Sequence, residues 1–398
     1  MAPHRHPPVS APKACVRAGP HGGCARGRGS HYHRRVSDPD TASAWPAADE
    51  AVDPAILARA RALPKVLLHE HLDGGLREAT LLELLRARGL PAPAPDAAGL
   101  AAWFDARAHA GSLEEYLRGF GLTVAAMASP VALERVAFEA AEDAREDGCV
   151  LAEFRIAPLL FEPHGVDADE AVAAMLQGLA RSPLPSGLIV CAMRQEDDAR
   201  IARAAELALR WLGRGVIAFD LAGPEAGWPA TRHARLLERL REAGMPLTLH
   251  AGEADAAHRV LEAVQLGARR IGHGVRLADL LGTPAAGPAL QALREADVHL
   301  EVCPTSNVHT GAARSVATHP IRALWDAGVS LSFHTDNRLM SRLTHSLEAA
   351  RLVTQAGFSW EDLRRMGEQA ASASFLEPAH RERARRALQA GAASAGLP

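Results

Sequence analysis

Five short polar segments, each at the end of an apolar run, carry the side chains of this sequence that can do chemistry. They are His69–Gly74, Asp220–Gly223, His250–Glu253, Gly272–Gly274 and His334–Asn337. Together they offer imidazole and carboxylate groups for a metal ion, and two further titratable groups for proton transfer. That combination is sufficient for a hydrolytic zinc site.

Four of these side chains are candidate ligands of one metal ion. His69 and His71 are two residues apart, so both face the same side of an extended strand. His250 adds a third imidazole, and Asp336 adds an oxygen. Ligands from three separated segments converge only if the strands that carry them form one closed sheet. Three imidazoles and one carboxylate suit zinc.

Two more groups are candidates for proton transfer. His273 could accept the proton of an attacking water molecule or orient that water. Glu253 follows His250 by three residues, and a carboxyl group in a closed pocket can keep its proton because burial disfavours the charged form. Glu253 could therefore donate a proton to a ring nitrogen of a substrate. The alternative is a hydrogen bond from a ligand histidine to Glu253.

The lysine content limits the number of metal ions. The sequence contains only Lys13 and Lys65, and Lys65 stands at the start of the first predicted strand, at the end opposite to the polar segments. A pair of metals bridged by a carboxylated lysine is therefore excluded, and one ion per subunit is expected. Motifs of serine hydrolases, phosphate-binding loops and dinucleotide-binding folds are absent, as is the C-x-x-C pair of cytidine-type deaminases.

Strand-like runs alternate with helical ones from residue 50 onward. The strand candidates are short, rich in Val, Ile and Leu, and nearly continuous in apolarity, as strands buried on both faces should be. They are Val66–His69, Val150–Ile156, Leu188–Arg194, Val216–Gly223, Leu247–Glu253, Arg270–Gly274, His299–Asn307 and Leu331–Asp336. This pattern predicts an α/β fold, and a (β/α)8 TIM barrel fits it better than an open doubly wound sheet.

The polar segments lie at the C-terminal ends of the predicted strands, which is the face where a barrel places its active site. The connection after the first strand, residues 73–150, is long and helical and predicts a lid over the barrel mouth. Of its aromatic residues, we expect Trp103 or Phe104 to reach the site. C-terminal helices over residues 348–390 are expected to close the barrel.

Composition bounds the partners and the compartment. Residues 1–37 contain seven Lys and Arg and no acidic residue, so the remainder is more acidic than the net charge of -3 suggests, and nucleic acid is not an expected partner. Residues 1–48 lack apolar periodicity and are expected to be a disordered basic extension, with 49–398 as a single catalytic domain.

The apolar runs are too short for a membrane span, which needs about 18 residues or more. The five cysteines show no C-x-x-C spacing and favour reduced thiols in a cytoplasmic protein.

Several motifs, in order along the chain, resemble those of the adenosine/AMP deaminase family. They are Leu63-Pro64-Lys65 before His69-x-His71-Leu72-Asp73-Gly74, Glu153-x-Arg155-x-x-Pro158, Asp220-Leu221-Ala222-Gly223, His250-Ala251-Gly252-Glu253, Ile271-Gly272-His273-Gly274, Glu301-x-Cys303-Pro304-x-Ser306-Asn307 and Thr335-Asp336. The resemblance implies an eight-stranded barrel with one zinc ion and hydrolytic deamination of adenosine to inosine and ammonia.

The resemblance also implies a role for each site residue. Glu253 would protonate N1 of the purine, and His273 would serve the attacking water with the help of Asp336. The backbone of Gly223 would meet N3. Asp73 and His71 would meet the ribose, and Asn337 would meet N7. The zinc ligands would be His69, His71, His250 and Asp336.

Three positions depart from the usual family pattern, among them Gln369, which stands where an Asn is common. Asn337 stands where many members have a second Asp. An amide donates a hydrogen bond at any pH, whereas an Asp must be protonated to do so, so Asn337 can fill the role. His334 stands where Asn is usual, and we expect it to lie beside Asp336.

Activity on a purine nucleoside, adenosine, is the leading functional hypothesis. Within the family, Asp73 is typical of members that act on nucleosides, whereas relatives that act on free adenine usually have Glu there. The first alternative is a deaminase of a modified adenosine, such as aminofutalosine or an N6-substituted adenine nucleotide. The second is a catalytically inactive relative, which the retention of all four ligands disfavours. The sequence leaves the oligomeric state open.

Overall fold

In the computed structural model, which describes residues 52–108, 116 and 119–394, strands and helices alternate along the chain. The strands are β1 Lys65–Leu67, β2 Cys149–Ile156, β3 Ser186–Met193, β4 Val216–Ala222, β5 Thr248–Ala251, β6 Arg270–His273, β7 His299–Val302 and β8 Leu331–Phe333. The expectation of a disordered basic extension over residues 1–48 lies outside the described residues.

The α-helices of the described residues occupy the connections between these strands and the C-terminal region. They are α1 Pro54–Ala62, α2 Glu78–Ala87, α3 Ala97–Ala108, α4 Phe120–Met127, α5 Pro130–Glu146, α6 Ala168–Ala180, α7 Asp198–Trp211, α8 Ala234–Glu242, α9 His258–Gln265, α10 Ala286–Glu295, α11 Pro304–His309, α12 Ile321–Asp326, α13 Arg338–Ser341, α14 His345–Gln355, α15 Trp360–Ala373 and α16 Pro378–Ser394. Short 3-10 helices cover Leu72–Gly74, Pro158–His164, Ala230–His233 and Val275–Leu280.

The eight strands form a closed parallel barrel. Strands β1 to β4 pair in sequence order in one sheet, and β5 to β8 pair in sequence order in a second. A parallel bridge between Phe219 and Leu247 joins the sheets on one side, and one between Glu70 and Asp336 joins them on the other. The predicted eight-stranded barrel is therefore confirmed, with the C-terminal ends of all strands at one mouth.

Local sequence explains where the elements begin. The central residues of β2 and β3 are buried on both faces, as their apolar runs predicted. Asp167 caps the N-terminus of α6, because its carboxylate accepts hydrogen bonds from the backbone N–H groups of Asp169 and Glu170. Asp197 caps α7 by accepting from the Arg200 N–H. Such caps satisfy N–H groups that a helix leaves unpaired in its first turn.

One predicted strand was too long. The expected strand His299–Asn307 ends in the structure at Val302, and α11 begins at Pro304. Proline has no N–H for a strand ladder but has the φ of a first helical residue. The Asn307 N–H closes the first turn on the Cys303 carbonyl oxygen at 2.8 Å. This turn places Asn307 on a helix at the barrel mouth.

The connection between β1 and β2 is helical, as predicted, but its expected contact with the site was wrong. Phe104 is buried against Trp103, with ring centroids 4.9 Å apart, and Arg107 covers the Trp103 ring. Among the described residues of this connection, the aromatic side chains that line the cavity at the barrel mouth are those of Tyr116 and Phe120. Packing between helices, which aromatic content alone does not show, decides which rings face the mouth.

The C-terminal helices pack against the first two strands. Val66 of β1 and Leu151 of β2 form one buried apolar cluster with Ala370 of α15 and Leu388 of α16. No single described helix is long and apolar enough to span a membrane. The sharply bent pair α4 and α5 passes that test by length and composition when the two are taken together.

Candidate active site

The four predicted ligands meet at the C-terminal mouth of the barrel. His69 and His71 follow β1, His250 lies in β5, and Asp336 follows β8. Their ligand atoms all lie within 4.8 Å of one another. His71 Nε2 is 3.3 Å from His250 Nε2, and His69 Nε2 is 3.2 Å from Asp336 Oδ1. The structure thus brings together the set that the sequence predicted.

Carboxylates behind two of the histidines orient their rings. His69 Nδ1 lies 2.8 Å from Glu301 Oε2, and His250 Nδ1 lies 2.9 Å from Asp220 Oδ2. Because each carboxylate accepts the Nδ1 proton, each Nε2 lone pair points into the cluster. His69 Nε2 is buried and accepts no hydrogen bond from any of the described residues, although it lies 3.2 Å from Asp336 Oδ1. A buried lone pair without a donor, surrounded by three more ligand atoms, fits a bound cation.

The protonation states of two ligands also suit a metal ion. Burial lowers the pKa of His71 well below its usual value, so the ring is neutral. Burial acts in the opposite direction on Asp336, but its close pairing with His69 and the neighbouring His273 and His71 outweigh burial and hold the pKa of Asp336 well below its usual range. Metal ions require neutral imidazoles and ionised carboxylates.

Two residues of the site have a left-handed backbone. The angle φ is +64° at His273 and +59° at Asp336, which is uncommon for residues other than glycine and costs about 1–3 kcal/mol each. Barrel closure holds the second conformation: the Asp336 N–H donates to the His69 carbonyl oxygen at 3.0 Å, and the His71 N–H donates to the Asp336 carbonyl oxygen at 2.8 Å. Ser306 Oγ donates to Asp336 Oδ2 at 2.6 Å.

A ladder of opposite charges lies beneath the cluster, inside the barrel. Arg155 is 2.8 Å from Asp220 and 2.5 Å from Glu301, and Arg270 is 2.5 Å from Glu301 and 2.7 Å from Glu153. All five side chains are fully buried. Burial opposes ionisation of Glu301, but the two guanidinium groups outweigh it and hold its pKa well below the usual range. This charge ladder fixes the carboxylates that orient His69 and His250.

The two predicted proton-transfer residues face each other beside the cluster. Glu253 Oε2 lies 3.6 Å from His273 Nε2. Thr310 Oγ1 donates to Glu253 Oε1 at 2.9 Å, and His273 Nδ1 lies 3.0 Å from Asn307 Nδ2. Within the described residues, Glu253 makes no hydrogen bond with a ligand histidine. Its carboxyl group therefore faces the reaction space. This position is the one expected of a proton donor to the substrate, and not of an acceptor from a ligand histidine.

A carboxylate that sequence reasoning missed fixes the loop that carries Glu253. Glu225 is 3% exposed, and its carboxylate accepts hydrogen bonds from four consecutive backbone N–H groups, of residues 252–255, at 2.5 to 3.0 Å. The sequence signal was weak: Glu225 stands two residues after Gly223. Nothing in that spacing shows that the side chain returns to a loop nearly thirty positions further along.

A cavity of about 250 Å³ opens onto the cluster. The predicted substrate-binding residues Asp73, Gly223 and Asn337 line it. Asp73 Oδ1 and Asn337 Oδ1 are buried and have no hydrogen-bond partner among the described residues. Burial raises the pKa of Asp73 to about 7. Gly223 has φ +92°, and a Cβ there would overlap the Gln195 side chain. The cavity therefore offers unpartnered polar atoms to a ligand.

Three further expectations concern residues around the site. Lys65 Nζ donates to backbone carbonyl groups at 2.7 and 2.8 Å at the opposite end of the barrel and cannot bridge metals in the cluster. The expectation that His334 lies beside Asp336 was wrong: its Nδ1 accepts from the Leu68 N–H at 3.1 Å, and its Nε2 lies 2.7 Å from Ser332 Oγ. The cysteines within the described residues form no disulfide, as expected: Cys149, Cys191 and Cys303.

Sequence comparisons agree with the geometry. Residues 64–390 match the family described as adenosine deaminase. The adenosine deaminase of Mycobacterium avium (strain 104) is 43% identical over 343 residues, which are 81% of this chain and 93% of that protein. The adenosine deaminase of Mycobacterium tuberculosis (strain H37Rv) is 43% identical over 332 residues, which are 79% of this chain and 90% of that protein.

Solved structures share the fold. A zinc-bound amidohydrolase from Burkholderia ambifaria superposes with a TM-score of 0.76 at 22% identity, covering 88% of this chain and 97% of its own. The N6-mAMP deaminase of Arabidopsis superposes with a TM-score of 0.72 at 24% identity, covering 83% and 99%. At such identities the similarity establishes the barrel architecture.

Proposed function

This chain belongs to the adenosine deaminase family, and from that premise we propose that it hydrolyses adenosine and 2'-deoxyadenosine to inosine and 2'-deoxyinosine with release of ammonia. The enzyme is a hydrolytic deaminase of a metal-dependent family. The observation that supports the proposed substrate most strongly is the cavity in which Glu253, Asn337 and Asp73 surround the ligand cluster.

We propose one zinc ion per subunit, held by His69, His71, His250 and Asp336. Three imidazole nitrogens and one carboxylate oxygen match the donor preference of zinc. When bound, the ion supplies a water molecule of lowered pKa as the nucleophile. The charge ladder, which includes Asp220, orients the rings of His69 and His250.

The chain's own residues then move the protons. Glu253 donates a proton from its carboxyl group to N1 of the purine, which makes C6 more electrophilic. Thr310 and the backbone contacts of Glu225 keep that carboxyl group beside the cluster. His273 lies 3.6 Å from Glu253 and orients the attacking water, and the carboxylate of Asp336 assists. Tyr116 and Phe120 line the cavity and give it an aromatic wall.

Polar atoms at the cavity wall account for recognition of the nucleoside. The Asn337 amide donates a hydrogen bond to N7 at any pH. The backbone of Gly223 meets N3 because the absence of a side chain allows close approach. Asp73 and His71 face the ribose hydroxyl groups. Each of these groups lines the cavity.

The charge of the cavity favours a nucleoside over a nucleotide. Its described lining contains no Lys or Arg, but it contains three carboxyl groups, those of Asp73, Glu253 and Asp336. A 5'-phosphate would face these carboxyl groups without a cation to pair with. This disfavours the alternative of an N6-substituted adenine nucleotide as the natural substrate.

The experiment is a spectrophotometric assay of the purified protein, with its bound metal quantified first. We expect the ultraviolet change of adenosine to inosine with adenosine and deoxyadenosine, and far lower kcat/KM with AMP, adenine and aminofutalosine. Protein with a full complement of zinc that turns over none of the nucleosides would contradict the proposed substrate. Faster turnover of AMP or aminofutalosine would replace it with the corresponding alternative.

We also propose that the catalytic domain comprises residues 49–398 and acts in the cytoplasm, where Cys149, Cys191 and Cys303 would stay reduced. Every proposed site residue lies between positions 69 and 337. Deletion of residues 1–48 should therefore leave kcat/KM for adenosine unchanged. A large fall in kcat/KM with retained zinc would show that the extension contributes to the site.

A further inference from the structure

Two buried side chains, those of His319 and Asn307, form a hydrogen-bonded relay behind His273. The Ile321 N–H lies 3.0 Å from His319 Nδ1, His319 Nε2 lies 3.2 Å from Asn307 Oδ1, and Asn307 Nδ2 lies 3.0 Å from His273 Nδ1. Asn307 is fully buried and His319 is 3% exposed. The relay thus begins at a backbone amide and ends at the ring that faces the reaction space.

The backbone end fixes the direction of every bond in the relay. The amide of Ile321 can only donate, so His319 Nδ1 must accept, and the proton of this imidazole is on Nε2. His319 therefore donates to Asn307, which must present its carbonyl oxygen to His319 and its NH2 group to His273. Burial lowers the pKa of His319 to about 3, which keeps its ring neutral at working pH.

This polarity determines the tautomer of His273. Its Nδ1 accepts a hydrogen bond from Asn307, so the proton of the neutral ring is on Nε2. Nε2 is the atom that lies 3.6 Å from Glu253 and faces the cavity. In this tautomer the ring presents an N–H donor to the reaction space, and it has no lone pair there with which to accept a proton.

We propose that His319 and Asn307 are positioning residues that hold His273 as the Nε2–H tautomer, so that His273 donates a hydrogen bond to the attacking water instead of removing its proton. The inference rests on the proposed deamination. As the water oxygen bonds to C6, its O–H bond breaks and the proton passes to the carboxylate of Asp336. The electron pair displaced from C6 moves to N1, which receives the proton of Glu253.

The variant Asn307→Asp separates the two possible roles of His273, because it replaces the NH2 donor by a second acceptor at nearly the same size. The new carboxylate can still accept from His319, but it requires a proton on His273 Nδ1. If His273 acts as a donor at Nε2, kcat should fall by roughly 10²-fold, as when one transition-state donor is removed. If His273 is a general base, the new carboxylate strengthens it, and kcat should hold or rise.

A matched amide-to-carboxylate control is Gln369→Glu at the other end of the barrel. Gln369 Oε1 accepts from the Leu331 N–H at 3.0 Å, and a carboxylate can do the same. This variant should retain the wild-type kcat. Zinc content and Tm are measured on both variants, so that loss of metal or of fold is distinguished from a change in the role of His273.

The tautomer itself is read by nitrogen-15 NMR of histidine-labelled protein, which does not depend on turnover. The His273 signals are identified by comparison with a His273→Gln sample, and zinc-loaded and zinc-free protein are both examined. We expect a protonated Nε2 and an unprotonated Nδ1 in the wild type, and a protonated Nδ1 in Asn307→Asp.

A wild-type ring protonated at Nδ1, or an Asn307→Asp variant with undiminished kcat, would overturn the proposal. Absence of wild-type turnover on any nucleoside would instead reject the proposed substrate and leave the tautomer result intact.

Discussion

The two ends of this barrel use the same kinds of side chain in opposite ways. At the C-terminal mouth, His69 Nε2, Asp73 Oδ1 and Asn337 Oδ1 are buried without hydrogen-bond partners among the described residues. At the N-terminal floor, both nitrogens of His299 contact serine hydroxyl groups, and Lys65 donates to two backbone carbonyl groups. Buried polar atoms cost free energy unless they are paired. At the mouth this cost falls on groups beside the ligand cluster, where a ligand can remove it, whereas His299 and Lys65 at the floor are paired within the fold.

The charge ladder connects the two ends. Glu153 contacts the backbone N–H of Phe375 near the floor at 2.7 Å, and Glu301 contacts the ligand His69 near the mouth at 2.8 Å. Arg270 joins these two carboxylates. A substitution at the mouth should therefore change activity alone, one at the floor should change stability alone, and one in the ladder should change both.

The largest effect is expected from Glu253→Gln at the mouth. Glutamine keeps the size and can still accept from Thr310, but it has no acidic proton to give to the purine. We expect kcat to fall by roughly 10²- to 10⁴-fold, with zinc content and Tm as in the wild type. The assay is paired with metal analysis. Loss of zinc together with activity would mean that Glu253 supports the ligand cluster. The proposed separation between activity at the mouth and stability at the floor would then fail at Glu253.

Glu301→Gln should affect both properties, because the ladder connects them. The amide leaves Arg155 and Arg270 without their shared anion and orients His69 less firmly. Removing one member of a buried charge pair costs about 3–5 kcal/mol, and loss of a carboxylate behind a ligand histidine weakens metal binding by roughly 10- to 100-fold. Urea unfolding and zinc titration measure the two effects. A variant that loses zinc affinity but keeps its stability would show that the charge ladder serves only the mouth.

The sequence predicts the ligand cluster far better than the groups that support it at the same mouth. The ligand cluster could be predicted because each ligand lies next to an apolar strand, and a closed barrel brings the strand ends together. The sequence did not predict the relay of His319 and Asn307, because that relay depends on the helical turn that begins at Pro304, where a strand was expected. Glu225 was missed for a similar reason: its partners are backbone N–H groups of another loop. Periodicity reports which face is buried, but not which loop a polar side chain reaches.

Glu225→Gln should produce an intermediate effect at the mouth. In either orientation of the amide, its NH2 group faces at least one of the four backbone N–H donors, so the loop carrying Glu253 must shift. We expect kcat to fall roughly tenfold, less than the roughly 10²-fold penalty of a 1 Å misplacement, with zinc retained. Asp167→Asn, an exposed carboxylate that also accepts backbone N–H groups, is the control and should leave kcat unchanged. Equal losses in both variants would indicate a general effect on folding.

The smallest effect is expected at the floor, from His299→Asn, and it depends on pH. Burial, followed by the charge of Arg270, lowers the pKa of His299 to about 3, whereas an unfolded histidine titrates near pH 6.5. Between these values the unfolded chain binds a proton that the folded protein does not, so the wild-type free energy of unfolding decreases as pH falls through that window. At pH 7.5 the variant should be about 1–2 kcal/mol less stable, because the contacts with Ser330 and Ser332 are lost. At pH 5 the difference should be smaller, because only the wild type has lost stability through this group.

Urea unfolding at both pH values tests this, with exposed His164→Asn as the control and kcat expected to remain at the wild-type value throughout. A large fall in kcat would mean that the floor also serves the reaction, and the division between the two ends would not hold.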